Sequence, residues 1–343
     1  MAEERVNYKY IDAARGLALM VIITSHATGG SLYITAAMVQ TFFVISGYLY
    51  RPGRSYGETI KKRARRLLVP YFGYSALLLA FYAVVRRNLG ETLHSLFGVF
   101  YARFYLFEVT SHEDPVALMD IANGALWYLP AFFVTELLFC LIADKCLASW
   151  KVTAFWTAVL MGISMALSLL PILLPWSIDF AGATTIMMLA GAWLKQTGFY
   201  ERKDHPAIVA LVVLLYVFVL NFNVTLNSSV RLYGRFGAFS VPLYLVISIC
   251  GGMLYIWVAK WIQNTIIGDF FRYIGVHSME LLCIHMVVLE VFEVVVGHFV
   301  DVWSFSAPVH VAYTIVRVGV AIVASLIGGR VIAALGKRIR KAA

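Results

Sequence analysis

The sequence predicts an all-α polytopic membrane protein of about ten transmembrane helices, N-in and C-in, and three observations carry that prediction. Of 343 residues, 61% are hydrophobic and only 14% charged, where an ordinary soluble domain is about a quarter charged. Mean hydropathy is +0.79, which excludes a soluble globular enzyme and equally a basic disordered chain, because disorder needs low hydrophobicity. The apolar residues are gathered in runs close to the roughly 20 residues that a helix needs to cross the hydrocarbon core.

Taken in order, the runs are 10–31, 33–50, 67–88, 124–144, 152–173, 179–197, 206–222, 238–261, 272–297 and 307–334. They fill most of the chain, so residues 1–343 read as a single membrane domain. The opening MAEERVNYKY is polar, and the first run already holds Asp12, Arg15 and His26. A cleaved signal peptide would not carry these, so the segment is expected in the mature protein. Between the second and third runs lies a basic cytoplasmic loop, 51–66. Between the third and fourth, residues 89–123 mix Phe97, Phe100, Tyr101, Phe104, Tyr105 and Phe107 with His94, His112, Glu113 and Asp114. That composition predicts an extracytoplasmic loop with an interfacial segment. No repeat period or low-complexity stretch is visible.

Orientation follows from the basic residues, which concentrate in short cytoplasmic loops. The chain has 28 Lys and Arg against 19 Asp and Glu, a formal charge of +9. With the N-terminus inside, 21 of the 28 fall on the cytoplasmic side and five outside: Arg86, Arg87, Arg103, Arg231 and Arg235. Because the blocks alternate with apolar runs instead of covering one soluble face, the charge reports topology and no nucleic-acid partner is expected. Cys140, Cys146, Cys250 and Cys283 lie in or beside apolar runs without metal-ligand spacing. They read as reduced packing residues, and no metal is expected.

A charged group at the centre of a membrane helix costs about 2.5–3.5 kcal/mol on insertion scales, which makes each one a functional candidate. The group comprises Arg15, His26, Glu136, Glu280, His285, Glu290, Glu293 and Arg317. For Arg317, Glu290 and Glu293 the favoured reading is internal pairing. Arg15 and His26 are eleven residues apart, and eleven steps of about 100° return to nearly the same helix face. The rise places them about 16 Å apart along the axis. Asp12 precedes Arg15 by three, the spacing of a local ion pair. Lys61, Lys62, Arg63, Arg65 and Arg66 lead up to Pro70. This block reads either as a lipid-headgroup anchor or as a surface that grips phosphate oxygens.

YIDAARGLALMVIITSH followed by QTFFVISGYLY resembles the opening of the acyltransferase-3 family of integral membrane acyltransferases. The family's Arg, ten residues, His pattern is matched by Arg15 and His26, and its FF…SGYL by Phe42, Phe43, Ser46, Gly47, Tyr48 and Leu49. The basic stretch ending in proline is matched by Arg63, Arg66 and Pro70, the Trp-aromatic-Leu segment by Trp127, Tyr128 and Leu129, and the late Gly…Ser…His segment by Gly275, Ser278 and His285. The matches occur in order over nearly the whole chain. Within the family, LWYLPAFFVTE and YLYRPGRS are most similar to bacterial fucose-type carbohydrate O-acetyltransferases.

The resemblance implies transfer of an acyl group, usually acetyl from cytoplasmic acetyl-CoA, to a hydroxyl of a glycan, a lipid-linked sugar or another cell-envelope molecule. It implies a multi-pass protein of the cell (inner or plasma) membrane, in contact with membrane lipids and using no metal. His26 is expected as the general base. Arg15, oriented by Asp12, is expected to position it or to hold the CoA arm. Arg63 and Arg66, with Lys62, are expected at the CoA phosphates. Ser46, Trp127 or a backbone N–H is expected to stabilise the oxyanion. Glu136 could orient His26 or pair with His285. Tyr128, Ser278 and His285 complete the set as acceptor contacts or structural support. No extra C-terminal extracytoplasmic domain is expected, which leaves acceptor choice to the membrane domain. Direct transfer in a ternary complex is favoured over an acetyl-histidine intermediate. A proton-coupled secondary transporter or flippase of a small polar or sugar substrate is the alternative, since carriers also use intramembrane His, Glu and Arg. A purely structural or sensory membrane protein is a third.

Overall fold

A computed structural model describes residues 8–28, 36–86, 89–103, 124–170, 172–225, 240–302 and 305–342. Among these there is no strand. The α-helices are α1 (Lys9–Thr28), α2 (Gln40–Tyr48), α3 (Tyr56–Arg86), α4 (Leu89–Tyr101), α5 (Tyr128–Ala148), α6 (Trp150–Leu167), α7 (Ile178–Gln196), α8 (Pro206–Thr225), α9 (Ser240–Ile262), α10 (Ile266–Val276), α11 (Ser278–Gly297) and α12 (Ala307–Ala342). Short 3₁₀ turns at Gly124–Trp127 and Pro175–Ser177 lead into α5 and α7.

By length and composition, six helical segments among the described residues can cross a membrane: Tyr56–Val84, Ala125–Ala148, Trp150–Leu167, Pro175–Gln196, Val241–Ile262 and Ala307–Gly336. Helix α8 adds a shorter apolar segment, Pro206–Asn221, with Leu211, Leu214 and Phe218 exposed. Such outward apolar side chains suit lipid as solvent. The remaining expected spans fall on α1 and α11, which carry the acidic, arginine and histidine residues singled out above, and on α2, whose nine residues reach about 14 Å.

Two expectations are corrected. The basic stretch 51–66 is a loop only up to residue 55. From Tyr56 it forms the first turns of a 31-residue helix that runs through Pro70, because Lys and Arg are good helix formers. The run 272–297 is two helices, separated at His277 (φ −96, ψ 22). Thr265 caps the first of them, its side chain accepting from the Gly268 N–H at 3.1 Å, a standard helix start that the apolar pattern conceals. Of the interfacial stretch 89–123, α4 is the described helix; Phe104, Tyr105, Phe107, His112, Glu113 and Asp114 lie outside the described residues, as do Arg87, Arg231 and Arg235.

The chain divides into two compact units, residues 1–42 with 252–343 and residues 43–251. The first holds α1, α10, α11 and α12 around Leu19, Ile23, Ile274, Leu281, Leu289 and Ala321. In it α1 and α10 touch backbone to backbone. A Cβ on Gly16 would lie 1.8 Å from the Phe271 carbonyl oxygen, and one on Gly275 would lie 1.8 Å from that of Asp12. In the second unit α2 and α7 meet the same way, with Gly47 against Met188 O (1.8 Å) and Gly191 against Val44 O (1.9 Å). Small residues permit this close approach, which is how helices gain packing energy where lipid removes the hydrophobic drive. Gly47 and Gly275 are both motif positions, and helix contact explains why glycine stands there.

Candidate active site

Helix α1 presents its polar residues as the spacing predicts. Arg15 Nη1 lies 3.1 Å from Asp12 Oδ1, both side chains about three-quarters buried. One turn from the C-terminal end of the helix stands His26, which is exposed and lines a cavity of about 480 Å³. Its ring centroid is 5.4 Å from that of His285 on α11, at 39°. His285 is fully buried, with Nδ1 2.7 Å from the Leu281 carbonyl oxygen. A carbonyl only accepts, so Nδ1 is the nitrogen that donates there, leaving Nε2 as the other ring nitrogen. That Nε2 is buried without a hydrogen-bond partner among the described residues.

Arg317 on α12 ties the same region together. Its Nη1 donates to the Ala27 carbonyl at 3.1 Å, and its Nη2 donates to the Leu289 carbonyl at 3.3 Å and pairs with Glu293. The expected pairing of Arg317 with an α11 glutamate is therefore made, but its reach to Ala27, the residue after His26, was not foreseen. One guanidinium fixes the end of α1 against α11 and α12, which fixes the backbone that carries His26. The cavity wall beside it is polar, with Glu293, Asp301, His310, Tyr313 and Arg317. His310, Tyr313 and Asp301 escaped the sequence reading because they border apolar runs, where polar residues read as ordinary loop and helix-end positions.

A second polar cluster lies in the other unit. Glu136 on α5 is 1% exposed, and its Oε1 accepts from the Ser46 hydroxyl at 2.7 Å and lies 3.3 Å from Arg63 Nη2. The Cys140 thiol contacts its other oxygen at 3.8 Å. Three expected site residues, Ser46, Arg63 and Glu136, thus come together through one carboxylate. Burying a charge is tolerated when it is paired and hydrogen-bonded, and α2, α3 and α5 each contribute to that pairing. Lys62 and Arg66 remain exposed on the same basic turns of α3. Asp144 fastens the loop before α3, accepting from the Tyr50 hydroxyl (2.8 Å) and the Gly53 N–H (3.2 Å). Trp127 ends the 3₁₀ turn before α5, Tyr128 is buried against Phe43 and Phe132, and Ser278 is the first residue of α11.

The sequence reading also missed a structural ion pair. Arg103, placed in an outside loop, is 1% exposed; it pairs with Asp179, and its Nε donates to the Leu174 carbonyl at 3.0 Å. Around it Ala102, Trp176 and Ser177 adopt φ of 55–56°, and the Trp176 indole donates to the Phe100 carbonyl at 2.8 Å. Partners 76 residues apart leave no local signal. Among the described residues no group of three His, Cys, Asp or Glu is arranged to hold a metal ion.

A family model described as an acyltransferase domain matches residues 8–329, and so takes in both units and both polar clusters. No curated protein and no solved structure matches the chain.

Proposed function

The chain belongs to the acyltransferase-3 family and is a membrane acyltransferase, and from that premise we propose that it moves an acetyl group from cytoplasmic acetyl-CoA to a hydroxyl of a glycan or other cell-envelope molecule. The observation that carries the proposal is His26: an exposed imidazole at a polar cavity, on one helix with the ion-paired Arg15, beside the buried ring of His285. A sugar hydroxyl is a weak nucleophile at neutral pH, and a histidine in hydrogen-bond reach makes it competent by taking its proton.

In this reading the acceptor oxygen attacks the thioester carbonyl while His26 removes the hydroxyl proton. The tetrahedral intermediate collapses with cleavage of the C–S bond, and the proton passes from His26 to the CoA thiolate. Acetyl goes directly to the acceptor, with no acetyl-histidine step. The Ser46 hydroxyl donates to Glu136. Arg317 holds the backbone at Ala27, and the His285 ring lies beside that of His26. Arg15, held by Asp12, orients the cytoplasmic half of α1.

We place the N-terminus and the basic start of α3 on the cytoplasmic side, in an N-in, C-in arrangement of about ten spans in the inner or plasma membrane. Arg66 and Lys62 are exposed and meet the phosphates of CoA, with Arg63 braced behind them by Glu136. The sequence's likeness to fucose-type enzymes favours a sugar acceptor. The test is calorimetric titration of acetyl-CoA into purified protein in nanodiscs, with Lys62→Glu and Arg66→Glu as comparisons. Saturable binding that the substitutions weaken is the expected result. No binding in a folded sample overturns the reading and directs attention to transport.

A further inference from the structure

Resting on that reading, we propose that His285 is the positioning residue of the base: its buried Nε2 accepts a hydrogen bond from the His26 ring and so fixes which nitrogen of His26 takes the acceptor's proton. Both rings belong to the same compact unit. His26 lines the cavity, and His285, 0% exposed on α11, stands behind it with its ring centroid 5.4 Å away.

Three observations converge on Nε2. The other ring nitrogen, Nδ1, is 2.7 Å from the Leu281 carbonyl oxygen one turn back on the same helix, so the ring cannot turn Nε2 elsewhere without giving up that bond. Nε2 itself has no hydrogen-bond partner among the described residues, and a buried polar atom left unpaired is costly. The spacing is that of bonded imidazoles: an N–H···N bond of about 3 Å plus the two ring radii puts the centroids about 5 Å apart. At the observed tilt of 39° the bond is not made, and closing it takes a turn of the His26 ring, for which the adjoining cavity leaves room. Arg317 confines that adjustment to the side chain. By donating to the Ala27 and Leu289 carbonyls at 3.1 and 3.3 Å, it ties the backbone next to His26 to the helix that carries His285.

The chemical consequence concerns the proton. A neutral imidazole carries one N–H, and a base must turn its bare nitrogen towards the hydroxyl. With the His26 N–H given to His285 Nε2, the opposite nitrogen is bare and faces the cavity. It takes the hydroxyl proton as the acceptor oxygen attacks the thioester, and the same nitrogen returns that proton to the CoA thiolate. The first N–H stays on His26 throughout, and no proton passes to His285.

Two substitutions separate this role from packing. In His285→Asn the amide falls near Nδ1 and keeps a donor for Leu281, with nothing at Nε2. In His285→Gln the longer side chain puts an acceptor oxygen near Nε2 and gives up the anchor. CoA release from acetyl-CoA is followed in nanodiscs with methyl α-L-fucopyranoside as acceptor. His285→Asn should lower kcat about thirtyfold and His285→Gln no more than about threefold, with KM values within about twofold of wild type, since misplacing a catalytic group costs rate. A packing role gives the reverse order, and that order overturns the proposal. The second readout is ¹⁵N NMR of the histidine rings at about pH 8.5, two units above the ordinary histidine pKa, with His26 assigned by the loss of its signals in His26→Ala. One dominant His26 tautomer in wild type and a mixture in His285→Asn are expected; a mixture in wild type overturns the proposal whatever the variants do. No turnover with the fucoside, or no calorimetric binding of acetyl-CoA, counts against the acyltransferase reading alone, and the wild-type tautomer still decides the pairing.

Discussion

The two polar clusters differ in how completely their hydrogen bonds are made. Around Glu136, Oε1 takes Ser46 and Arg63, and Oε2 takes the Cys140 thiol. Around Arg317 and His285, three buried atoms, Arg317 Nε, His285 Nε2 and the Tyr313 hydroxyl, have no partner among the described residues, and the cluster opens to a cavity. A saturated buried cluster holds helices together, whereas an unsaturated one beside a cavity is arranged for something that is not part of the chain. The comparison motivates the proposed division of the intramembrane charges into a brace around Glu136 and a reaction site around His26.

Three substitutions sharpen the division, in descending order of effect. Arg317→Lys cannot hold Ala27, Leu289 and Glu293 together, so it should lower kcat by up to about a hundredfold through misplacement of His26 while leaving acetyl-CoA affinity unchanged. A transfer assay with a donor titration alongside reads both quantities; loss of donor affinity instead would break the division. Glu136→Ala leaves Arg63 and Ser46 without their acceptor. Since Arg63 is 27% exposed, the cost should fall below that of a fully buried pair, at about 2 kcal/mol. Thermal unfolding should register it as a lower Tm. An unchanged Tm with activity abolished would move Glu136 from the brace to the chemistry. The smallest effect belongs to Lys62→Glu and Arg66→Glu, where exposed charges contribute about 1 kcal/mol each. The KM for acetyl-CoA should rise about fivefold per substitution, and less at high salt because screening weakens the capture. Arg63→Glu is a poorer probe, since it also disrupts the brace.

Much of the architecture was legible because membrane helices announce themselves by length and apolar content. Expected spans such as 179–197 and 206–222 fall within a few residues of α7 and α8. The Asp12–Arg15 pair and the shared face of Arg15 and His26 were legible because helical periodicity is local. What escaped was long-range or hidden inside an apolar pattern. The helix break at His277 interrupts a run whose composition does not change, and the contact of Arg317 with Ala27 spans 290 residues. The motif glycines Gly47 and Gly275 were visible as a pattern, but their reason, backbone contact between helices, required the packing. Sequence offered Glu136 as a partner for histidine; its contacts within its own unit, Ser46 and Arg63, join distant parts of the chain and had no local signal.

The most direct test of the account is His26→Ala. Purified wild type and variant in nanodiscs would be loaded with acetyl-CoA at matched occupancy by calorimetry, and acceptor-dependent CoA release would be followed with a thiol reagent. Loss of a general base costs about 10²–10⁴-fold, so release should fall by at least two orders of magnitude at unchanged donor affinity. CoA release at the wild-type rate from the alanine variant would contradict the assignment of His26 as the base and, with it, the placement of the chemistry at the unsaturated cluster.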